Sequence, residues 1–259
     1  MPDIEITFLG TGTSHGIPVI ACDCAVCTSP DPRDRRSRSS IYVRTPECAW
    51  VVDTGADFRE QCLRARIHQL DAVVYTHAHT DHIMGFDDLR RFSESRGGIP
   101  VYASPDTMHH LRRVFTFAFN GENHYPGYVI PQPQEVTGPF FLGSTELVPL
   151  PVPHGRTLVN GYLFRRNGRP LVAYLSDCNG MPGPVLETIR GVDHLIIDAL
   201  RHRPHPTHFT VTEALAVAKE SGAAHTWLTH LCHDLPHAET EAALPPGVRI
   251  AHDGLRIQA

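Results

Sequence analysis

The stretch Thr76-His77-Ala78-His79-Thr80-Asp81-His82 puts four potential metal ligands into six residues. Imidazole and carboxylate at this density are what divalent metals select, and a merely polar loop explains the pattern less well. A short apolar, β-rich run, Asp71 to Tyr75, precedes it, and Ile83 to Phe92, with helical periodicity, follows. The cluster therefore falls where a buried strand gives way to a helix. Side chains alternate along an extended backbone, so His77 and His79 point one way while Asp81 and His82 project from the turn. One loop of this kind can feed two neighbouring metal ions.

A second cluster, Cys22-Asp23-Cys24-Ala25-Val26-Cys27, supplies three thiols within six residues. They are too close in sequence for comfortable disulfides and suit one tetrahedral zinc, with a fourth ligand from elsewhere; three buried or reactive thiols are the alternative. Further candidates stand at strand ends. Asp53 follows Ala49 to Val52, where a carboxylate either caps the helix starting near Asp57 or accepts the second N–H of a metal-bound histidine. His154, Asp177, Asp198 and His230 each follow a β-rich run, and His208 stands in a Pro-broken loop ahead of a helix whose start, Thr210 with Glu213, has capping-box spacing.

The elements that must position these residues alternate along all 259 positions. Ile4 to Leu9, Ser40 to Arg44 and Ala49 to Val52 read as strands, as do Pro100 to Ala103 and Glu146 to Val152. Asp106 to Val114, Met181 to Arg190 and Thr210 to Ser221 read as helices. The end, Val248 to Ala251 and Leu255 to Ile257, reads as a hairpin around Asp253-Gly254. Residues 115–145, including Asn120-Gly121 and His124-Tyr125-Pro126, read as irregular: a lid or insertion, a subunit contact, or simple coverage of the sheet, with a homodimer as one possible assembly. The run Arg33, Arg35, Arg36 and Arg38 reads as a solvated face, with phosphate contact as the alternative. No repeat or linker divides the chain, so a single domain, 1–259, is expected.

Composition narrows the class. Apolar content of 41% and charged content of 20% are ordinary for a globular protein, and the 18 histidines are the outlier. A net charge of −5 gives no general attraction for nucleic acid, which weighs against such a partner and leaves it open. Seven cysteines, an odd number with no export-like start, do not form a disulfide framework, and no apolar run approaches a membrane span. A cytoplasmic protein with no membrane association is expected.

The pattern His77-x-His79-x-Asp81-His82 resembles the signature of the metallo-β-lactamase superfamily, and its remaining ligand positions follow in order as His154, Asp177 and His230. The resemblance implies an α/β fold, the αββα sandwich of two mixed sheets with helices outside. It also implies a dinuclear site: His77, His79 and His154 on one divalent ion, Asp81, His82 and His230 on the other, with Asp177 bridging. Zn²⁺ and Mn²⁺ both suit such ligands, and the pair implies hydrolysis by hydroxide generated between the ions.

His208 resembles the proton-donor histidine of phosphodiesterase branches such as ribonuclease Z, with Asp198 as the carboxylate that orients it. Gly10-Thr11-Gly12, the three cysteines and Thr229-His230-Leu231-Cys232-His233 together resemble the phosphoribosyl 1,2-cyclic phosphate phosphodiesterases of phosphonate degradation. There a structural zinc is closed by the histidine at the position of His233. The expected substrate is thus a small, cyclic phosphodiester. Alternatives are a ribonuclease Z-like nuclease, a thioester or lactam hydrolase, and a non-enzymatic accessory of cofactor biosynthesis.

Overall fold

The computed structural model describes residues 3–94, 96–121 and 127–259, and within them two seven-stranded sheets lie face to face. The first runs, edge to edge, through Arg256–Gln258 (β14), Glu5–Gly10 (β1), Ser40–Arg44 (β2), Ala49–Val52 (β3), Ala72–Val74 (β4), Ile99–Ala103 (β5) and Pro131–Glu135 (β6). The second runs through Val248–Ile250 (β13), His225–Thr229 (β12), His194–Asp198 (β11), Arg169–Leu175 (β10), Thr157–Arg166 (β9), Thr145–His154 (β8) and Phe140–Leu142 (β7). In each sheet one half pairs antiparallel and the other parallel, β3 to β6 in the first and β10 to β13 in the second.

Alternation within the strands builds the layers. Trp50, Val52 and Val74 meet Phe164, Tyr174 and Ile196 between the sheets. The intervening Val51 and Val73 face outward onto Phe58, Ile83, Phe86 and Leu111 of the covering helices. On the other side Leu195 and Ile197 pack under Val211, Ala214 and Val217 of the helix Val211–Ser221. Central strands buried on both faces explain the unbroken apolar runs of β4 and β11. This is the αββα sandwich. Among the described residues, no helix is long and apolar enough to cross a membrane.

Four expectations need correction. The closing strands form no hairpin: β13 pairs parallel with β12, while β14 crosses to the first sheet and pairs antiparallel with β1. The turn between them is held by the Asp253 carboxylate, which accepts from Thr11 N–H at 3.0 Å and Ser37 N–H at 2.8 Å. The helical run 83–92 is broken into Thr80–Ile83, the 3-10 turn Phe86–Leu89 and Arg90–Glu94. The break falls at Gly85, whose backbone approaches Gly55 so closely that a Cβ would stand 2.3 Å from the Gly55 carbonyl oxygen.

Segment 115–145 is not irregular throughout, because β6 and β7 close one edge of each sheet; residues 122–126, including His124, Tyr125 and Pro126, lie outside the described ones. Finally, Arg36 is not on a solvated face. It is 2% exposed and donates to the Ala251 carbonyl at 2.6 Å and Thr11 Oγ1 at 2.9 Å, with Nη2 3.0 Å from His237 Nδ1.

Candidate metal centre

The ends of strands from both sheets converge on one rim. β4 delivers Thr76 and His77, and the short helix Thr80–Ile83 carries Asp81 and His82. β8 ends in His154, β10 leads into Asp177, β11 ends in Asp198 and β12 leads into His230. Asp53 and His230, neither a glycine, adopt left-handed backbone angles, φ 64° and 58°, where their strands turn into the site. Such conformations persist only where the surroundings over-determine them. Gly55 serves a different need: a Cβ there would lie 2.2 Å from the Asp81 carbonyl oxygen, so its absence lets the ligand loop seat.

Ligand atoms of His77, His79 and His154 lie within 4.8 Å of one another, as do those of Asp81, His82, Asp177 and His230. Asp177 stands between the groups. Its Oδ2 is 3.3 Å from His230 Nε2, 3.9 Å from His154 Nε2 and 4.0 Å from His77 Nε2, and its Oδ1 is 3.2 Å from His82 Nε2. The Nε2 atoms of His77, His82 and His230 are buried with no hydrogen-bond partner, as is Asp177 Oδ1. Buried polar atoms are almost always paired, so a set of orphans aimed at one another is what a cation-binding site leaves behind.

The other ring nitrogens are held from behind. His82 Nδ1 meets Asp53 Oδ2 at 2.8 Å, and Asp53 also accepts from Thr76 N–H and Thr76 Oγ1, both at 2.8 Å. Asp53 therefore orients His82 and the Thr76 turn rather than capping the helix Phe58–Ala65. His154 Nδ1 meets the Thr207 carbonyl at 2.8 Å. Thr207 and Thr76 escaped the sequence reading: Thr207 acts through its backbone and leaves no side-chain signal, while Thr76 sat inside the motif with its hydroxyl unassigned.

Charge follows from packing. Burial alone would raise Asp177, but His230 and His82 hold it well below the usual carboxylate range. Burial alone would lower His230, but Asp177 and the bond to Asp81 push it up to about 9. A divalent cation entering there thus competes with a proton.

Beside this set, His208 Nδ1 lies 2.7 Å from Asp198 Oδ2, which also accepts from Cys178 N–H at 3.0 Å. The His208 ring stacks 4.6 Å from that of His230 and meets that of His154 at 4.8 Å. Burial first, then the His230 charge, pushes His208 down to about 3, and burial pushes Asp198 well up. The segment is fixed on both sides: Phe209 N–H donates to the Cys178 carbonyl at 2.8 Å, and Thr210 and Glu213 complete the capping box. Cys178 itself is fully buried, a packing neighbour.

Away from the rim, Cys22, Cys24 and Cys27 Sγ lie 3.3, 3.6 and 3.5 Å from His233 Nδ1. Zinc bonds of about 2.3 Å to sulfur and about 2.0 Å to nitrogen at a tetrahedral angle require S···N near 3.5 Å. The Cys27 backbone N–H draws the Cys24 thiol down to about 7, towards the thiolate a metal needs.

The fold is an αββα sandwich whose rim gathers two groups of His and Asp side chains that could hold metal ions. The chain belongs to the β-lactamase superfamily, matching the family described as "Beta-lactamase superfamily domain" over residues 50–231, and its structural and sequence relatives include enzymes of phosphodiester and diphosphate hydrolysis. A crystal structure described as a new diphosphatase from the PhnP family superposes with a TM-score of 0.91 at 43% identity, covering 99% of this chain and 97% of that one. A Porphyromonas gingivalis protein named octanoyltransferase is 35% identical over 252 residues, 95% of this chain and 50% of that protein. A Synechococcus ribonuclease Z is 29% identical over 209 residues, 75% of this chain and 59% of that protein. The chain spans roughly half to three-fifths of these curated relatives.

Proposed function

We propose that this chain is a hydrolase that cleaves a P–O bond in a small phosphodiester, cyclic or diphosphate-linked, with His208 as proton donor to the leaving oxygen. The observation that carries this reading is the Asp198–His208 pair set against the seven-residue ligand group. A proton donor matters most for a poor alkoxide or phosphate leaving group. The 43% similarity to a diphosphatase supports phosphoryl chemistry, whereas the octanoyltransferase name belongs to a protein of which this chain spans half.

His77, His79 and His154 would hold one divalent ion and Asp81, His82 and His230 the other, with Asp177 shared; Zn²⁺ and Mn²⁺ both suit the donors. Such a pair supplies positive charge that acidifies water and neutralises phosphoryl oxygens. Asp53 and the Thr207 carbonyl fix the ligand imidazoles. Asp198 accepts from Nδ1–H of His208, and burial holds the free ring neutral, so Nε2 carries a proton only once an anionic phosphoryl group beside it draws one onto the ring; the imidazolium then hands that proton to the departing oxygen. Cys22, Cys24, Cys27 and His233 would hold one structural zinc and tie the 22–27 loop to the loop after β12.

The test is hydrolysis of a cyclic alkyl phosphodiester by protein stripped with chelator and reloaded with Zn²⁺ or Mn²⁺. Turnover should require the metal and fall about 100-fold or more in His208→Ala. Metal-independent turnover, or preference for a thioester or lactam, would overturn the reading.

A further inference from the structure

We propose that Asn179 is a positioning residue for the reaction: its side-chain amide clips the loop that carries His208 to the turn that carries His154, and so fixes the proton donor against the metal centre. This rests on the phosphohydrolase reading above.

Three segments meet at this point. Polar side-chain atoms of His154, Asp177 and His208 lie within 4.8 Å of one another. His154 ends β8, Asp177 follows β10, and His208 stands between β11 and the helix Val211–Ser221, so chain connectivity alone sets none of their spacings. Asn179 follows Asp177 by two residues and bonds to both of the other segments. Its Oδ1 accepts from Gly155 N–H at 3.0 Å, beside His154, and its Nδ2 donates to the Pro206 carbonyl at 2.8 Å, two residues before His208. Its backbone N–H donates to the Pro153 carbonyl at 2.9 Å, on the other side of His154.

These partners select the residue type. One neighbour is a donor and the other an acceptor, so the side chain must present both functions, which an amide does and a carboxylate does not. The same two partners decide which way the amide points.

The consequence for His208 is a bracket. Phe209 N–H donates to the Cys178 carbonyl at 2.8 Å, and the Pro206 carbonyl accepts from Asn179, so two successive residues of the Asp177 segment hold the chain on either side of His208. The path is short and stiff. Pro206 has its φ fixed by its ring, and Thr207 Cγ2 packs so closely on Gly155 that a Cβ there would lie 2.7 Å away. Among the described residues, the only direct polar link between the His154–Gly155 turn and the 202–208 loop is His154 Nδ1 to the Thr207 carbonyl at 2.8 Å. Without Asn179, the loop would hang from the ring of a ligand candidate. Asp198 orients the His208 ring, and Asn179 sets where its backbone stands.

An asparagine that merely satisfied two loop groups would support stability and not chemistry, and kinetics separate the two. With a cyclic alkyl phosphodiester and metal-loaded protein, Asn179→Ala should lower kcat about tenfold and change KM less than about twofold. In a His208→Ala background the same substitution should lower kcat less than about twofold, because its effect passes through His208. Asn179→Asp, which has the same shape and lacks the donor, should repeat the loss. Undiminished kcat in either variant, or an equal loss with and without His208, would overturn the assignment. A second readout needs no turnover, so it decides the clip even if the wild type cleaves no phosphodiester and the hydrolytic reading fails. In competition with a chromophoric chelator, Asn179→Ala should bind one of the two rim ions about tenfold more weakly, through His154, and leave the other unchanged. Unchanged affinity for both ions, or an equal loss for both, would overturn it.

Discussion

Asp198 Oδ2 stands 2.7 Å from His208 Nδ1, with Asp198 fully buried and His208 only 11% exposed. The carboxylate can reach no other imidazole as closely, since its Oδ1 lies 3.9 Å from His230 Nδ1. Asp198 therefore sets the orientation of the one site histidine that neither ligand group needs.

Asp198→Asn keeps the shape, removes the carboxylate charge and turns one acceptor oxygen into a donor. It should lower kcat about 10- to 100-fold, with metal content and KM little changed, as expected for a residue acting through its neighbour. Steady-state kinetics with metal analysis checks this.

Asp53→Ala leaves the His82 and Thr76 donors unpaired in a fully buried place. Metal affinity should fall about 10- to 100-fold, read by competition with a chromophoric chelator. Thermal stability should fall by about 1–3 kcal/mol.

Metal uptake should be proton-linked. His230, pushed up to about 9, carries a proton below that pH, and a cation must displace it. Affinity should therefore rise with pH through neutrality and level off above about 9, with protons released at pH 7; a flat profile would contradict the ligand assignment of His230.

How much of this was legible beforehand depends on which groups act. Candidate ligands such as His77 or Asp177 stand out because few roles suit such side chains at strand ends, and the structure brings them together; the Thr210–Glu213 capping box is a local signal that the structure repeats. Thr207 was invisible because its carbonyl does the work, and any residue has one. The Asp253-Gly254 turn was visible, but which sheet each flanking strand joins is decided by non-local pairing. Arg36 looked like its neighbours in a charge run, and only packing against Thr11, Ala251 and His237 separates it from them.

That buried contact has a pH signature. Burial, then the Arg36 charge, pushes His237 down from 6.5 to about 4. Between those values the unfolded chain binds the proton that the folded one refuses, so stability rises with pH across this window and is lost as pH falls through it. Arg36→Leu should weaken that dependence, leaving the part due to burial, and cost about 3 kcal/mol, measured by urea unfolding at pH 7 and pH 5.

Cys22→Ser should remove one zinc per chain and lower the melting temperature while the rim keeps two metals. Loss of all metal together would contradict separate sites.

The most direct measurement follows kcat against leaving-group pKa for a series of metal-supported phosphodiesters. Wild type should show a shallow slope and His208→Ala a steep one, with the two converging for the most acidic leaving groups. Parallel lines would show that His208 does not protonate the leaving oxygen.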